Sequence, residues 1–145
     1  MNIRPIKDTD RQQWEPLWQG YLEFYETSLS NERTELTWQR FFDAEHVFFA
    51  YVAEVDDMIV GMAHAMMRQS TWELVGDMYI EDLFVSTAAR GQGIARALIN
   101  HVKEQAVAQG AGNLYWQTRE GNSTARSLYD SIATRNDYIQ YLIKL

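Results

Sequence analysis

Residues 81–102, EDLFVSTAARGQGIARALINHV, change period halfway. The first part completes an apolar run of strand length, MYIEDLFV. The second places Ile94, Leu98, Ile99 and Val102 on one helical face, with Ala106 one turn later. Gly91 and Gly93 stand at the junction, with Arg90 before them and Arg96 just after. A strand that runs through glycines into an amphipathic helix commits the chain to helices packed on a sheet. The glycines free the backbone for conformations and close approaches that a Cβ blocks. The helix start adds unpaired N–H groups and the positive end of its dipole, which suits an anion; the arginines add charge that pairs with phosphate. A tight turn with no ligand explains the glycines equally well.

The rest of the chain supplies the layers. NIRPI, apolar on alternate residues, predicts a first strand. Trp14, Leu17, Trp18, Tyr21, Leu22 and Tyr25 recur at helical spacing, with Asp8, Thr9 or Asp10 as the cap and Pro16 expected in the first turn. A second helix is predicted over residues 32–42. HVFFAYVAEV and MIVGMAHAMM read as strands joined across Asp56 and Asp57 in a hairpin. NLYWQT predicts another strand, NSTARSLYDSIA another helix and YIQYLIKL a closing strand. That order predicts an α/β fold, an α+β mixed sheet with helices on its faces. No linker or repeat interrupts it, so one domain over residues 1–145 is expected, long enough to bury most of its unfolded surface.

Composition excludes several classes. With no cysteine, neither a disulfide scaffold nor thiolate catalysis is available. A net charge of −7 disfavours contact with nucleic-acid phosphates and suits cationic partners. MNIRPIKDTDR is too polar for a signal peptide and no apolar run reaches spanning length, so a cytoplasmic chain with no membrane or nucleic-acid partner is expected. His46, His64 and His101 are far apart without metal-ligand spacing; structural or surface roles and no metal are expected.

The glycine loop fails two phosphate motifs. A P-loop needs Gly-Lys-Ser/Thr, and a Rossmann fingerprint needs glycine where Arg96 stands. A third pattern fits. Arg90-x-x-Gly93-x-Ala95 after an apolar strand resembles the acetyl-CoA pyrophosphate loop of the GCN5-related N-acetyltransferases, the GNAT family. EGNSTARSLYDSIA resembles that family's second signature through Asn122, Ala125 and Tyr129, and the element order is similar to the family's over nearly the whole chain. Taken together, these motifs resemble the branch holding diamine and histone acetyltransferases. Thr87, where relatives often carry proline, departs from the pattern without touching the cofactor motif.

The resemblance implies a GNAT-like fold in which a splayed parallel strand pair forms an acetyl-CoA cleft. Backbone groups of Leu83, Phe84 and Val85 then pair with the pantetheine arm as an added strand does. Arg90 and the amides of Gly91, Gln92, Gly93, Ile94, Ala95 and Arg96 hold the pyrophosphate. Asn122 caps the late helix or bonds the cofactor arm, and Ala125 lines that helix. Tyr129 stands where the family places a general acid for the CoA thiolate; a phenol keeps its proton at neutral pH yet lends it across a hydrogen bond. A lysine-like acceptor amine, with a pKa of about 10.4, must lose a proton before attack. Glu81, acting through water, is the expected base. Asp82 is the weaker candidate, because strand alternation sends the two carboxylates to opposite faces.

The implied activity is acetyl-CoA-dependent N-acetyl transfer to a primary amine (small amine, polyamine or lysine-like) by direct attack in a ternary complex. The alternatives are a non-catalytic acyl-CoA-binding module and a protein or peptide N-acetyltransferase. The resemblance also implies a homodimer, and acceptor-pocket walls drawn from Tyr21, Phe24, Tyr25 and Trp38. Helical spacing equally puts Trp14, Trp18, Tyr21 and Tyr25 in the core.

Overall fold

Strands and helices follow the hydrophobic periods, with one exception at the end of the chain. The computed structural model describes residues 1–145. In order, these are β1 (Asn2–Pro5), α1 (Arg11–Phe24), α2 (Asn31–Arg40), β2 (Phe48–Val55), β3 (Met58–Arg68), β4 (Asp77–Val85), α3 (Ile94–Ala108), β5 (Leu114–Trp116) and α4 (Ser123–Ile132). The five strands lie side by side in sequence order; β1 to β4 are antiparallel and β5 runs parallel to β4. The mixed sheet is therefore as the element order predicts. Asp56 and Asp57 both have positive φ, 49° and 61°, as a tight two-residue turn between twisted strands requires.

The sheet has a different core on each face. On one, Leu98, Ile99 and Val102 of α3 pack on Ala63, Ala65, Met78 and Ile80. On the other, Trp14, Leu17, Trp18 and Leu22 of α1 and Trp38 of α2 pack on Ala50, Val52 and Met62. Each fully buried Leu or Met contributes about 1.5–3 kcal/mol. Gly61 lets α3 approach: a Cβ there would lie 3.1 Å from Ile94 and 3.3 Å from Leu98. Arg4 ties β1 to the remainder through Asp10 (2.7 Å) and Glu54 (2.6 Å). Burial opposes ionisation of Asp10, but hydrogen bonds from Arg4 and the Lys7 N–H outweigh it and hold the carboxyl below its usual range.

Three local expectations are corrected. A single 3₁₀ turn, Asp8–Asp10, precedes α1, so Pro16 falls in the second helical turn, on its exposed side. Asp10 precedes α1 without capping it, because Arg4 and Lys7 take its carboxylate. The closing strand does not form. Residues 138–145 pair with nothing, and Tyr138, Ile139, Tyr141, Leu142, Ile143 and Leu145 are exposed. An eight-residue run with Ile139, Tyr141, Ile143 and Leu145 on one face needs a long edge and cover on that face, and β5 offers three residues. No helix is long and apolar enough to cross a membrane.

The feature that positions the site is a β-bulge. Ile80 pairs with Ala65 and Asp82 with His64, which leaves Glu81 as an extra residue in β4. A bulge bends its strand and increases the twist. The β4–β5 ladder ends at the same point, with Ile80 opposite Trp116, and beyond it β4 has no outer neighbour.

Candidate active site

Where β4 and β5 part, a cleft of about 440 Å³ opens toward α3 and α4. Its rim is the glycine loop. Gly91 and Gly93 both have φ of 79°, and a Cβ on either would meet nothing within 4 Å, so the left-handed conformation rather than crowding demands glycine. Gly93 is the N-cap residue of α3 and supplies no side-chain cap. Consequently the N–H groups of residues 91–96 have no protein partner, and Ala97 is the first to close a helical bond, onto the Gly93 carbonyl. Six successive bare amides at a helix start form an anion cradle. Arg90 donates Nε–H to the Val85 carbonyl (3.2 Å) and stacks over Phe84 (5.6 Å), while Arg96 donates to the Ser131 hydroxyl (2.9 Å). This donor set fits the diphosphate of a CoA-type molecule, and the unpaired edge of β4 beyond Ile80 fits its amide-bearing arm.

Across the cleft lies Tyr129 of α4, its ring 5.4 Å from Trp116. Burial, and secondarily the neighbouring Tyr25 phenol, push its pKa up to about 12. It therefore remains protonated throughout the neutral range. Asn122 lines the cleft without a side-chain cap bond; its amide donates to Thr118 Oγ1 (3.0 Å).

The opposite face of the sheet holds the carboxylates. The bulge overturns the expected separation of Glu81 and Asp82, for both lie close enough to Tyr21 and Tyr79 to act on their hydroxyls electrostatically. Tyr21 is held far above the ordinary phenol range by burial first and by Asp82 second. Glu81 is raised by burial first and by the Asp82 charge second, with Arg68 opposing. Asp82 is fixed from behind. His64 Nδ1 lies 2.9 Å from Asp82 Oδ2, and the indole N–H of Trp14 donates to His64 Nε2 at 3.1 Å. An indole only donates, so Nε2 must accept and the ring carries its proton on Nδ1, aimed at Asp82.

All the cofactor residues expected from the sequence except Gln92 line the one cleft, together with Tyr129; Gln92 is exposed on the loop. Glu81 is not part of that cleft and sits around the bulge on the α1 face. Phe24 and Tyr25 reach the cleft wall, whereas Trp38 is buried. Ala89, Thr124 and Leu128 also line it and were not singled out by sequence. Sequence alone gives His64 a structural or surface role. A histidine in the middle of an apolar strand was the available signal, but its partners, Trp14 and Asp82, are distant in sequence.

The profile of the acetyltransferase (GNAT) family matches residues 12–133. The chain is 31% identical over 142 residues to D-amino-acid N-acetyltransferase HPA3 of Saccharomyces cerevisiae, covering 96% of this chain and 88% of that protein. Among solved structures, a probable acetyltransferase superposes with a TM-score of 0.88 at 25% identity, over 100% of this chain and 98% of that one. AAC(6')-Iy in complex with the bisubstrate analog CoA-S-monomethyl-acetylneamine superposes with a TM-score of 0.84 at 16% identity, over 99% and 97%, a likeness of fold alone.

Proposed function

Because the chain belongs to the acetyltransferase (GNAT) family, we propose that it moves an acetyl group from acetyl-CoA to a primary amine by direct attack in a ternary complex. Membership makes it an N-acetyltransferase. The observation that carries the finer reading is the row of unpartnered amides at residues 91–96, on a segment that, Gln92 apart, lines one cleft with Tyr129. When bound, acetyl-CoA supplies an activated acetyl thioester. Residues 91–96, with Arg90, hold the diphosphate, and the β4 edge at Leu83, Phe84 and Val85 orients the arm.

The residues of this chain then manage protons. Glu81, with its raised pKa, accepts one from the acceptor ammonium through water, and Asp82 favours the cationic acceptor beside it. Tyr129 places its hydroxyl proton toward the departing sulfur. A pKa near 12 makes it a weaker acid than a thiol of about 8.5, so it stabilises a thiolate by hydrogen bonding rather than by outright transfer. The acceptor class at this level is a small amine, a polyamine or a lysine-like group. The yeast relative is named for D-amino acids, one member of that range.

We further propose a cytoplasmic homodimer. Six large apolar or aromatic side chains of residues 138–145 are exposed, more than a lone chain leaves contiguous in water, and a second copy covers them. Light scattering that finds only monomer at micromolar concentration overturns this part. The transfer itself is tested by thiol release from acetyl-CoA over a panel of amines, alongside calorimetric acetyl-CoA binding. A non-catalytic module binds and releases no thiol.

A further inference from the structure

Arg68 is the last residue of β3, and its position is fixed by the backbone. It pairs with Asp77 in β4, and Gly76 comes so close to the Arg68 carbonyl that any Cβ there would collide with it. By strand alternation its side chain shares a face with His64 and Met66, and across the sheet with Tyr79 and Tyr115. The guanidinium lies 5.5 Å from the Tyr79 ring centre and 5.9 Å from that of Tyr115, and Nη1–H donates to the Tyr115 hydroxyl at 2.6 Å. Two aromatic rings hold the plane of the fork.

The cation has no counter-ion. No carboxylate lies within 4.0 Å of Arg68, although the chain is strongly acidic. The acid opposite it, Asp77, is occupied with the Asn113 amide at 2.8 Å. Arg119, past the opposite end of β5, is committed to the Tyr25 carbonyl at 3.2 Å and approaches Glu26 at 4.0 Å. Arg68 uses one of its five N–H donors on the protein and leaves the rest exposed. Its charge nevertheless reaches Glu81, which it pulls against burial. A positive fork and a pair of carboxylates thus stand on one face, separated by the Tyr79 ring.

We propose that Arg68 receives the carboxylate of the acceptor, so that the preferred acceptor is an amino acid, its ammonium toward Glu81 and Asp82 and its carboxylate on the guanidinium. This rests on the transferase reading above and narrows its substrate class. A bare amine or polyamine leaves Arg68 without a partner and gains nothing from it; a zwitterion satisfies both ends. A planar guanidinium grips carboxylate in two parallel bonds, a geometry that an ammonium does not reproduce.

The test compares kcat/KM for D- and L-α-amino acids with that for their carboxamides, in the wild type, Arg68→Gln and Arg68→Lys. Using the same pairs in each protein cancels the difference in amine basicity. Loss of a charge-assisted contact predicts a fall of about 10- to 100-fold for the acids in Arg68→Gln, with the carboxamides changed by less than about twofold. Arg68→Lys is expected between the two, and melting temperature reports that each variant is folded. An equal fall for acids and carboxamides, or an acid-to-amide ratio unchanged by Arg68→Gln, overturns the assignment. Failure of the wild type to acetylate any amine overturns the transferase reading and this inference with it. That result is distinct from a failure of Arg68 alone, where carboxamides are still turned over.

Discussion

The two faces of the sheet solve recognition in opposite ways. On the α3–α4 face the site is made of backbone: two left-handed glycines, six bare amides and a strand edge that has lost its neighbour. On the α1–α2 face it is made of side chains brought from four elements, Trp14, His64, Asp82 and Tyr21 among them, with Arg68 free at the rim. Backbone donors present the same shape whatever the neighbouring side chains, so that face suits an invariant ligand. Side chains are exchangeable one at a time, so the other face suits an acceptor that differs from one relative to the next. The bulge at Glu81 joins them, since it both ends the β4–β5 ladder and turns the carboxylates toward α1.

The comparison is broken most severely at Tyr129, the one side chain on the backbone-built face to which the proposed mechanism assigns a proton. Tyr129→Phe is expected to lower kcat by about 10²- to 10³-fold, the loss of a hydrogen-bond donor to a developing anion, with the acetyl-CoA Kd unchanged, measured by steady-state kinetics and calorimetry. Full turnover in the variant removes Tyr129 from the chemistry. Next comes Gly93→Val. It puts a Cβ where φ is 79° and into the open side of the cradle, and should weaken CoA binding by about 100-fold, near 2.7 kcal/mol. Calorimetry with Gly93→Val and wild type decides this, and equal affinities would contradict the cradle.

The side-chain face should fail differently. Trp14→Phe removes the donor to His64 Nε2 and leaves a buried acceptor unpaired, costing about 1–3 kcal/mol in denaturant unfolding while CoA affinity stays as it was. A loss of CoA affinity as large as that in Gly93→Val would erase the division between faces. The smallest effect is electrostatic. Glu81 is raised, so its base form is lost as pH falls through a value above the ordinary 4.3 or so, and kcat/KM falls with it. Asp82→Asn removes a like charge but not the burial, and the acid limb of the profile should move down. A limb that moves up, or stays fixed, counts against Glu81 as the base.

The same contrast explains what the sequence discloses. Positive φ at Gly91 and Gly93 admits few residues, so the cradle is written in residue type, and α3 announces itself by its period. The bulge is not written locally. It depends on a register between β3 and β4 that offsets Ile80 and Asp82 against Ala65 and His64, and alternation alone sends Glu81 and Asp82 to opposite faces. His64 and Arg68 look like ordinary strand residues until the chain places Asp82 beside one and two tyrosines beneath the other. Residues 138–145 mislead for a related reason: their pattern is that of a strand, but a strand also needs an edge long enough to receive it, which β5 is not.

The central claim is that the backbone of residues 91–96 binds the diphosphate of CoA, and amide NMR of the ¹⁵N-labelled protein titrated with CoA tests it most directly. The account predicts the largest downfield amide shifts at Gly91, Gln92, Gly93, Ile94, Ala95 and Arg96, with slowed hydrogen exchange at the same six groups. Saturable CoA binding that leaves those amides unshifted and shifts α1 and α2 instead would contradict it.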